Sequence, residues 1–371
     1  MLSFWERQSF VKYDHIIIGG GIVGLSTAVS LKEDFPDATV AVLERGTFPT
    51  GASTKNAGFA CFGSLTEILH DLKGMTESEV QALVEFRWKG LELLRTRLGD
   101  KNIGFKNYGG YELLFQNDLT ALEALDEVNR VLAPLFNQRI YSEAPELIDQ
   151  FGFDKTSVKS MIKNPLEAQI DTGKMMKSLE AYARQLGVKT FTNCEVLSFE
   201  QLNESIEVRT KEVTFFADKL AICSNAFTRK LLPDTELSPG RGVVLVTKPI
   251  EGLRFQGTFH YDEGYYYFRN YENRVIFGGG RNMDIAGEES TEFEVRDLIL
   301  NKLKQDLQTI ILPNHKFEVD MAWAGIMAFG KTKQPIVTKH SENIVIGVRL
   351  GGMGVAVGSK VGQRLASLML E

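Results

Sequence analysis

The chain lacks the features that define several large classes of protein. Its only three cysteines, Cys61, Cys194 and Cys223, lie far apart, so neither a disulfide framework nor a cysteine-based zinc site is expected. No apolar run approaches the roughly 18 residues that a membrane span requires, so no transmembrane segment is predicted. The first ten residues carry charges where a signal peptide needs a continuous apolar stretch. The expected compartment is therefore the cytoplasm.

An excess of positive charge is also missing. Lys and Arg number 42 against 48 Asp and Glu, which gives a net charge of −6, and a nucleic-acid partner is not expected. The composition is otherwise that of a globular protein, and the length suggests roughly two to three domains at about 150 residues each. Glycine is the exception, with 34 residues, and the places where the glycines cluster carry most of the information.

Residues 14–45 form one strand–helix–strand unit. A short apolar strand leads into Gly19–Gly24, which fits the pattern G-x-G-x-x-G, and the next apolar residues recur at helical spacing. The three glycines of the pattern allow, in turn, a tight turn, a close approach of pyrophosphate to the backbone, and close packing of helix on strand. A second strand ends in Glu44, 20 residues after the last glycine, where an acid would bind ribose hydroxyls. The unit therefore predicts a dinucleotide-binding site.

The rest of the chain alternates between helical and antiparallel patterns. Helices are predicted at about Thr76–Gly99, Leu119–Leu135, Asp171–Gly187 and Val355–Glu371. Tyr265–Asn270 and Arg274–Gly279 flank a polar turn and predict a β-hairpin.

A second glycine loop, Gly351–Gly354, precedes the last helix. Two widely separated helix starts suit a cofactor with anionic character at both ends. A flavin qualifies, because hydride transfer builds negative charge on its pyrimidine edge, which a helix N-terminus would stabilise.

With these motifs in place, the sequence resembles the D-amino acid oxidase/glycine oxidase-like FAD-dependent oxidoreductases over nearly its whole length. The resemblance rests on the following motifs: Gly19–Gly24 with Glu44, Gly51–Gly58, the Asp171 helix leading to Val196, Ala221–Ala226, Pro239–Gly242, the Tyr265–Gly280 hairpin, Trp323–Gly325 and Gly351–Gly358. In its Gly51–Gly58 segment the chain looks most similar to the gamma-glutamylputrescine oxidase and D-amino acid dehydrogenase branches.

The resemblance implies an α/β protein, α+β overall, with a discontinuous Rossmann-type FAD-binding domain and an inserted antiparallel-sheet substrate domain. The expected FAD-binding domain comprises residues 1–75, 160–235 and 335–371, and the substrate or cap domain comprises 76–159 and 236–334. The resemblance and the fingerprint together imply these cofactor-binding residues: Gly19, Gly21, Ile22, Val23, Gly24, Glu44, Arg45, Ser53, Thr54, Asn56, Ala57, Gly58, Val196, Ser224, Gly352, Met353, Gly354 and Val355.

Departures from the family pattern concern the substrate and the flavin linkage. Met327 and Gly352 stand where glycine oxidases carry carboxylate-binding arginines, and Ile276 stands where sarcosine oxidases carry a lysine beside the flavin. No cysteine follows Cys223, so the covalent flavin attachment of sarcosine oxidases has no counterpart. We expect non-covalent FAD, no metal, and a different anion clamp.

The residues that could replace this clamp lie on or near the hairpin. Arg281 is the first candidate, with Tyr265 and then Tyr261 and Arg269 as further substrate-binding residues. The alternative is cross-strand packing for the tyrosines and a surface salt bridge for Arg281. His260 is interpreted as structural, because hydride transfer to a flavin does not require it.

The function predicted from these features is oxidation of a C–N bond in a small amine or amino acid by hydride transfer to the flavin, giving an imine that hydrolyses. Oxygen or another acceptor would then take the electrons. Two alternatives remain open: a 2-hydroxy-acid oxidoreductase on the same scaffold, and a flavin oxidase that acts on a modified tRNA base.

Overall fold

The computed structural model describes all 371 residues. Its α-helices are α1 (Phe4–Ser9), α2 (Ile22–Asp34), α3 (Ala52–Lys55), α4 (Leu65–Leu72), α5 (Glu77–Leu98), α6 (Asp100–Ile103), α7 (Leu125–Leu132), α8 (Glu146–Phe151), α9 (Thr172–Gln185), α10 (Asp297–Asp306) and α11 (Gly354–Leu370).

The strands are β1 (Lys12–Ile18), β2 (Val40–Leu43), β3 (Phe59–Ala60), β4 (Gly110–Leu114), β5 (Ser142–Glu143), β6 (Ser160–Asn164), β7 (Ala168–Gln169), β8 (Lys189–Phe191), β9 (Val196–Gln201), β10 (Ile206–Thr210), β11 (Thr214–Ile222), β12 (Ser238–Thr247), β13 (Thr258–Tyr261), β14 (Tyr266–Tyr271), β15 (Arg274–Gly279), β16 (Val319–Phe329), β17 (Ile336–Ser341) and β18 (Ile344–Val348).

The first large sheet has a parallel centre. Its order is β17-β18-β11-β1-β2-β8, and β10 and β9 extend it from β11. The buried end of β1 places Ile18 beside Leu43 of β2 and Ile222 of β11, all in parallel register. Because these three strands end together, the loops that follow them meet at one edge of the sheet, where dinucleotides bind in such folds. Together with the apolar faces of α2, α9 and α11, this sheet forms what we call the parallel-sheet half.

The second large sheet is mainly antiparallel, with the order β16-β12-β15-β14-β13-β4-β6-β5. One of its faces packs on α10 around a cluster of aromatic rings, in which Phe259 and Phe268 stack with centroids 4.7 Å apart. Alternation along β14 places Tyr266 and Phe268 in this core. The side chains on the opposite face of β14 therefore point toward the parallel-sheet half.

Helix boundaries mostly follow the local signals in the sequence. Thr76 and Glu79, three residues apart, form a capping box at the start of α5, in which Thr76 Oγ1 accepts from the Glu79 N–H. Asp171 caps α9 by accepting from the Lys174 N–H at 2.9 Å. The helix expected over residues 119–135 is wrong in its first part. Residues 116–124 form a 3₁₀ segment, and only Ala121 in it is buried, so this stretch presents no continuous apolar stripe for an α-helix to bury.

The expected domain boundaries need two corrections. β6 was assigned to the FAD-binding domain, yet it pairs with β4 inside the antiparallel sheet. The helix α5 was assigned to the cap, yet its Leu91, Leu94 and Leu98 belong to the apolar core of the parallel-sheet half. The division into two domains stays a proposal with these changes. No helix combines the length and hydropathy needed to cross a membrane.

Candidate active site

A cavity of about 570 Å³ lies between the two sheets and is lined by residues from both. Its volume falls within the range of roughly 300–1,000 Å³ common for ligand sites. All but two of the predicted cofactor residues line it: Gly19, Gly21, Ile22, Val23, Glu44, Arg45, Ser53, Asn56, Ala57, Gly58, Val196, Ser224, Gly352, Met353, Gly354 and Val355.

The two residues outside the cavity wall have structural contacts. A Cβ added to Gly24 would lie 1.9 Å from the Gly19 carbonyl oxygen, so only glycine allows α2 to pack this closely on the preceding turn. The Thr54 hydroxyl donates to the Pro49 carbonyl at 2.7 Å, which holds the loop before α3 in place.

The start of α2 is arranged to receive an anion. Gly21 caps the helix and offers no side chain to its first N–H groups. Ser53 of α3 instead accepts the Ile22 N–H at 2.9 Å. The free N–H groups and the positive end of the helix dipole face the cavity where a pyrophosphate is expected. The Ser53 hydroxyl therefore lies in the cavity wall beside the expected pyrophosphate site.

Glu44 lies at the end of β2 with its carboxylate buried; only 7% of the residue is exposed. One oxygen accepts the Gly20 N–H at 2.9 Å and the other accepts the Gly46 N–H at 2.8 Å. These two backbone donors draw Glu44 inward, so it is a buried residue of the cavity wall and not an exposed acid at the end of a loop. Both hydrogen bonds fix the carboxylate at the cavity wall, with lone pairs left for ribose hydroxyls.

The second helix start shows the same lack of a cap. Met353 precedes α11 and makes no side-chain hydrogen bond to the helix N-terminus, and residues 351–356 line the cavity. A Cβ built on Gly352 would lie 3.6 Å from the Met327 sulfur. Met327 and Gly352, the two positions at which glycine oxidases carry arginines, therefore lie side by side, and neither provides a cation beside the start of α11.

Three cysteines line the cavity, and burial raises the pKa of each thiol. For Cys223 the pKa rises to about 12. A thiol in that state is a poor nucleophile. Attack by one of these thiols on a cofactor is therefore disfavoured, and non-covalent binding of FAD stays a prediction.

Arg281 lies in the cavity wall on the antiparallel-sheet side. Gly279 and Gly280 bring the chain there: Gly279 has φ +126°, and a Cβ on it would lie 2.0 Å from the Tyr265 carbonyl oxygen. The guanidinium carbon lies 4.0 Å from the centroid of the Phe329 ring, and the side chain has no hydrogen bond or ion pair. Burial lowers the pKa of Arg281, which makes an anionic partner favourable.

Two tyrosines line the cavity wall together with Arg281: Tyr265, which precedes β14, and Tyr267, which lies in it. Tyr265 was expected there, but Tyr267 was not singled out by the sequence. Burial raises the pKa of Tyr267 to about 12, so its hydroxyl stays protonated and can donate a hydrogen bond. The alternation along the hairpin was the signal that could have found it, since both tyrosines lie on one face.

The other two expected substrate residues do not line the cavity, and we correct both expectations. The Tyr261 hydroxyl donates to Asp306 at 2.7 Å within the aromatic core, with its ring stacked on Tyr266. The buried Arg269 donates to the carbonyl oxygens of Gly58 and Ile170, at 3.1 and 2.8 Å. Arg269 therefore joins the two halves of the protein instead of reaching a substrate.

Two uncapped helix starts, a fixed carboxylate and a cavity of this size fit an adenine dinucleotide cofactor that carries a flavin. These features together define a dinucleotide-dependent oxidoreductase. Residues 14–368 match the model of the DAO family, described as "FAD dependent oxidoreductase". The chain belongs to this family, so it is an enzyme and its cofactor is FAD.

Relatives and solved structures agree with this family assignment. The chain is 22% identical to a glycine oxidase of Bacillus subtilis, over 97% of this chain and 93% of that protein. It is 24% identical to an L-2-hydroxyglutarate dehydrogenase of Escherichia coli, over 62% of this chain and 51% of that protein. The crystal structure of a glycine oxidase from Geobacillus kaustophilus superposes with a TM-score of 0.79 at 18% identity, over 97% of this chain and 95% of that one. The predicted fold class is thereby confirmed.

Proposed function

We propose that the enzyme oxidises the C–N bond of an amino acid or amine that carries an anionic group. The observation that carries this proposal is Arg281, a cation in the cavity wall with no partner of its own. A charge in such a place costs free energy unless something pairs with it, and a carboxylate can take two parallel hydrogen bonds from a guanidinium.

The arrangement around Arg281 suits substrate binding. Tyr265 and Tyr267 line the same wall and can donate to the second face of a carboxylate, while Met327 and Phe329 offer apolar surface to the rest of the molecule. Bound FAD supplies the acceptor for the two electrons. The protein's contribution is to orient the substrate and to keep water away from the reacting carbon.

A 2-hydroxy acid is the second candidate, and the similarity to an L-2-hydroxyglutarate dehydrogenase favours it. It would present the same carboxylate to Arg281. An anaerobic titration distinguishes the two classes: we expect an amino acid or amine to bleach the flavin absorbance, whereas bleaching by 2-hydroxy acids alone would favour the second candidate. Readmission of air to the reduced enzyme then tests whether oxygen is the electron acceptor.

A further inference from the structure

His260, which the sequence suggested to be structural, lies in the cavity wall. It is on β13, with Glu112 of β4 on one side and Tyr267 of β14 on the other. Its ring meets the edge of Phe59, the residue that follows the predicted flavin-lining segment, at a centroid distance of 5.0 Å. Its Nδ1 atom makes no hydrogen bond within the protein. One imidazole nitrogen is therefore left for a molecule in the cavity.

The other nitrogen of the ring faces a buried carboxyl group. His260 Nε2 lies 3.8 Å from Glu167 Oε2 and has no hydrogen-bond partner. Glu167 is 2% exposed, and its Oε1 accepts the N–H groups of Phe62 and Gly63 at 3.2 and 3.3 Å. These bonds hold the carboxyl group in place behind the imidazole and leave Oε2 for Nε2. At 3.8 Å these two atoms are too far apart for a hydrogen bond. Catalytic contacts are often this long before a substrate binds and shorten when it does, so Glu167 is placed to orient the imidazole as a carboxylate orients a histidine base.

We propose that His260, oriented by Glu167, accepts the proton that the substrate's ammonium group must lose before oxidation. This proposal rests on the proposed oxidation of a C–N bond. An N–H bond of the ammonium group breaks and an Nδ1–H bond forms. The lone pair left on nitrogen becomes the second bond of the C=N group as the C–H hydrogen leaves with both electrons for FAD. His260 then releases its proton through the cavity.

The protonation states of the pair support this order of events. Burial lowers the pKa of His260 and raises the pKa of Glu167 to about 8. Above that pH, the ionised Glu167 accepts a hydrogen bond from Nε2–H, which leaves a lone pair on Nδ1. Below it, the protonated Glu167 donates to Nε2 instead, and the ring proton lies on Nδ1. The other titratable or charged side chains around this cluster are Cys61, Glu67, Arg87, Tyr111, Glu112, Tyr141 and Tyr267.

The first test needs no substrate. The chain has five histidines, so ¹⁵N-histidine NMR of the holoenzyme can follow each ring, with His260 assigned from the spectrum of His260→Gln. We expect His260 to stay neutral and to lose its Nδ1 proton in favour of Nε2 as the pH rises through about 8. Glu167→Gln should abolish this change. Glu112→Gln, the same substitution at a neighbouring buried carboxyl, should keep the change but move it to lower pH, because the charge of Glu112 contributes to the raised pKa of Glu167. An imidazolium signal at neutral pH, or no effect of Glu167→Gln, would overturn the proposal.

The second test uses the pH profile of anaerobic flavin reduction by whichever amine bleaches the flavin. In His260→Gln we expect a loss of about 10²- to 10⁴-fold at pH 8.5, typical of a missing general base. The loss should fade at high pH, where the substrate's own amine is already neutral. Glu167→Gln should remove the change in the rate of flavin reduction near pH 8. His15→Gln, at a buried histidine outside the cavity, should keep the wild-type pH profile.

The outcomes separate the two claims. If an amine reduces the flavin and His260→Gln keeps the wild-type pH profile with full FAD content, the role of His260 is refuted and the proposed function stands. If no amine or amino acid reduces the flavin, the proposed function fails, and the NMR titration still reports whether Glu167 orients the imidazole.

Discussion

Replacing Arg281 by Met removes a charge that the protein itself does not neutralise. The side chain is half-buried, lies over the Phe329 ring, and makes no hydrogen bond or ion pair. Its loss therefore breaks no internal contact of consequence, and methionine can keep most of the packing against the ring. The folded enzyme and its FAD content should be unchanged, so the effect should appear only when an anionic ligand binds.

The size of that effect follows from the position of the guanidinium. Removing one partner of a buried, hydrogen-bonded charge pair costs about 2–5 kcal/mol. Arg281 is only half-buried and water can partly replace it, so we expect the lower part of this range, about 2–3 kcal/mol. At about 1.4 kcal/mol per tenfold change, the dissociation constant of a carboxylate ligand should rise roughly 30- to 150-fold.

The assay is a titration of the flavin spectrum with simple carboxylates and with their primary amides. Arg281→Met should weaken the carboxylates and leave the amides nearly unchanged. Arg254→Met is the matched control, because Arg254 lies outside the cavity and donates to the Asp149 carbonyl. Equal weakening of acids and amides, or normal carboxylate binding in Arg281→Met, would refute the role assigned to this residue.

Four other expectations follow from the structure. Acid precipitation should release FAD into the supernatant, and yellow colour retained in the pellet would show a covalent link. Glu44→Ala leaves two backbone N–H groups without partners, so it should weaken FAD binding in a fluorescence titration and lower the apoprotein's unfolding free energy by about 1–3 kcal/mol; unchanged values would contradict the buried position. Gly90→Ala places a Cβ 2.0 Å from the Ala356 carbonyl oxygen, which should push α5 away from α11. The free energy of unfolding, measured with denaturant, should fall by at least about 1–3 kcal/mol. The control is Gly74→Ala, which has open space around it and should change this free energy by no more than about 0.5 kcal/mol. Burial raises the pKa of Glu112 to about 7, above its unfolded value near 4.5, so its contribution to stability is greatest at low pH and is lost as the pH rises through 7; Glu112→Gln should flatten that slope in thermal unfolding measured from pH 5 to 9.

The sequence predicted the features that depend on local spacing. The glycine fingerprint, the capping box of α5 and the hairpin all appear close to their expected places, because each depends on residues a few positions apart. Alternation along the hairpin also places Tyr265, Tyr267 and Arg269 on one face. It could not show that the end of this face near Arg269 would be covered by another part of the chain.

What the sequence could not predict depends on contacts between distant residues. Arg269 binds carbonyl groups 99 and 211 positions away, and Glu44 is drawn inward by backbone donors whose positions depend on the loop fold. His260 became a candidate only when the fold placed Glu167, 93 positions earlier in the sequence, behind its ring. No periodic pattern records such a pairing.

The central claim is that a carboxylate-bearing amine is the electron donor, and anaerobic flavin bleaching tests it most directly. Purified holoenzyme would be mixed with matched sets of three compounds: an amino acid, the amine without its carboxylate, and the corresponding 2-hydroxy acid. We expect the amino acid to bleach the absorbance of the oxidised flavin at concentrations where the other two compounds do not. Bleaching by the 2-hydroxy acid alone, or by none of the three across a broad panel, would contradict the claim.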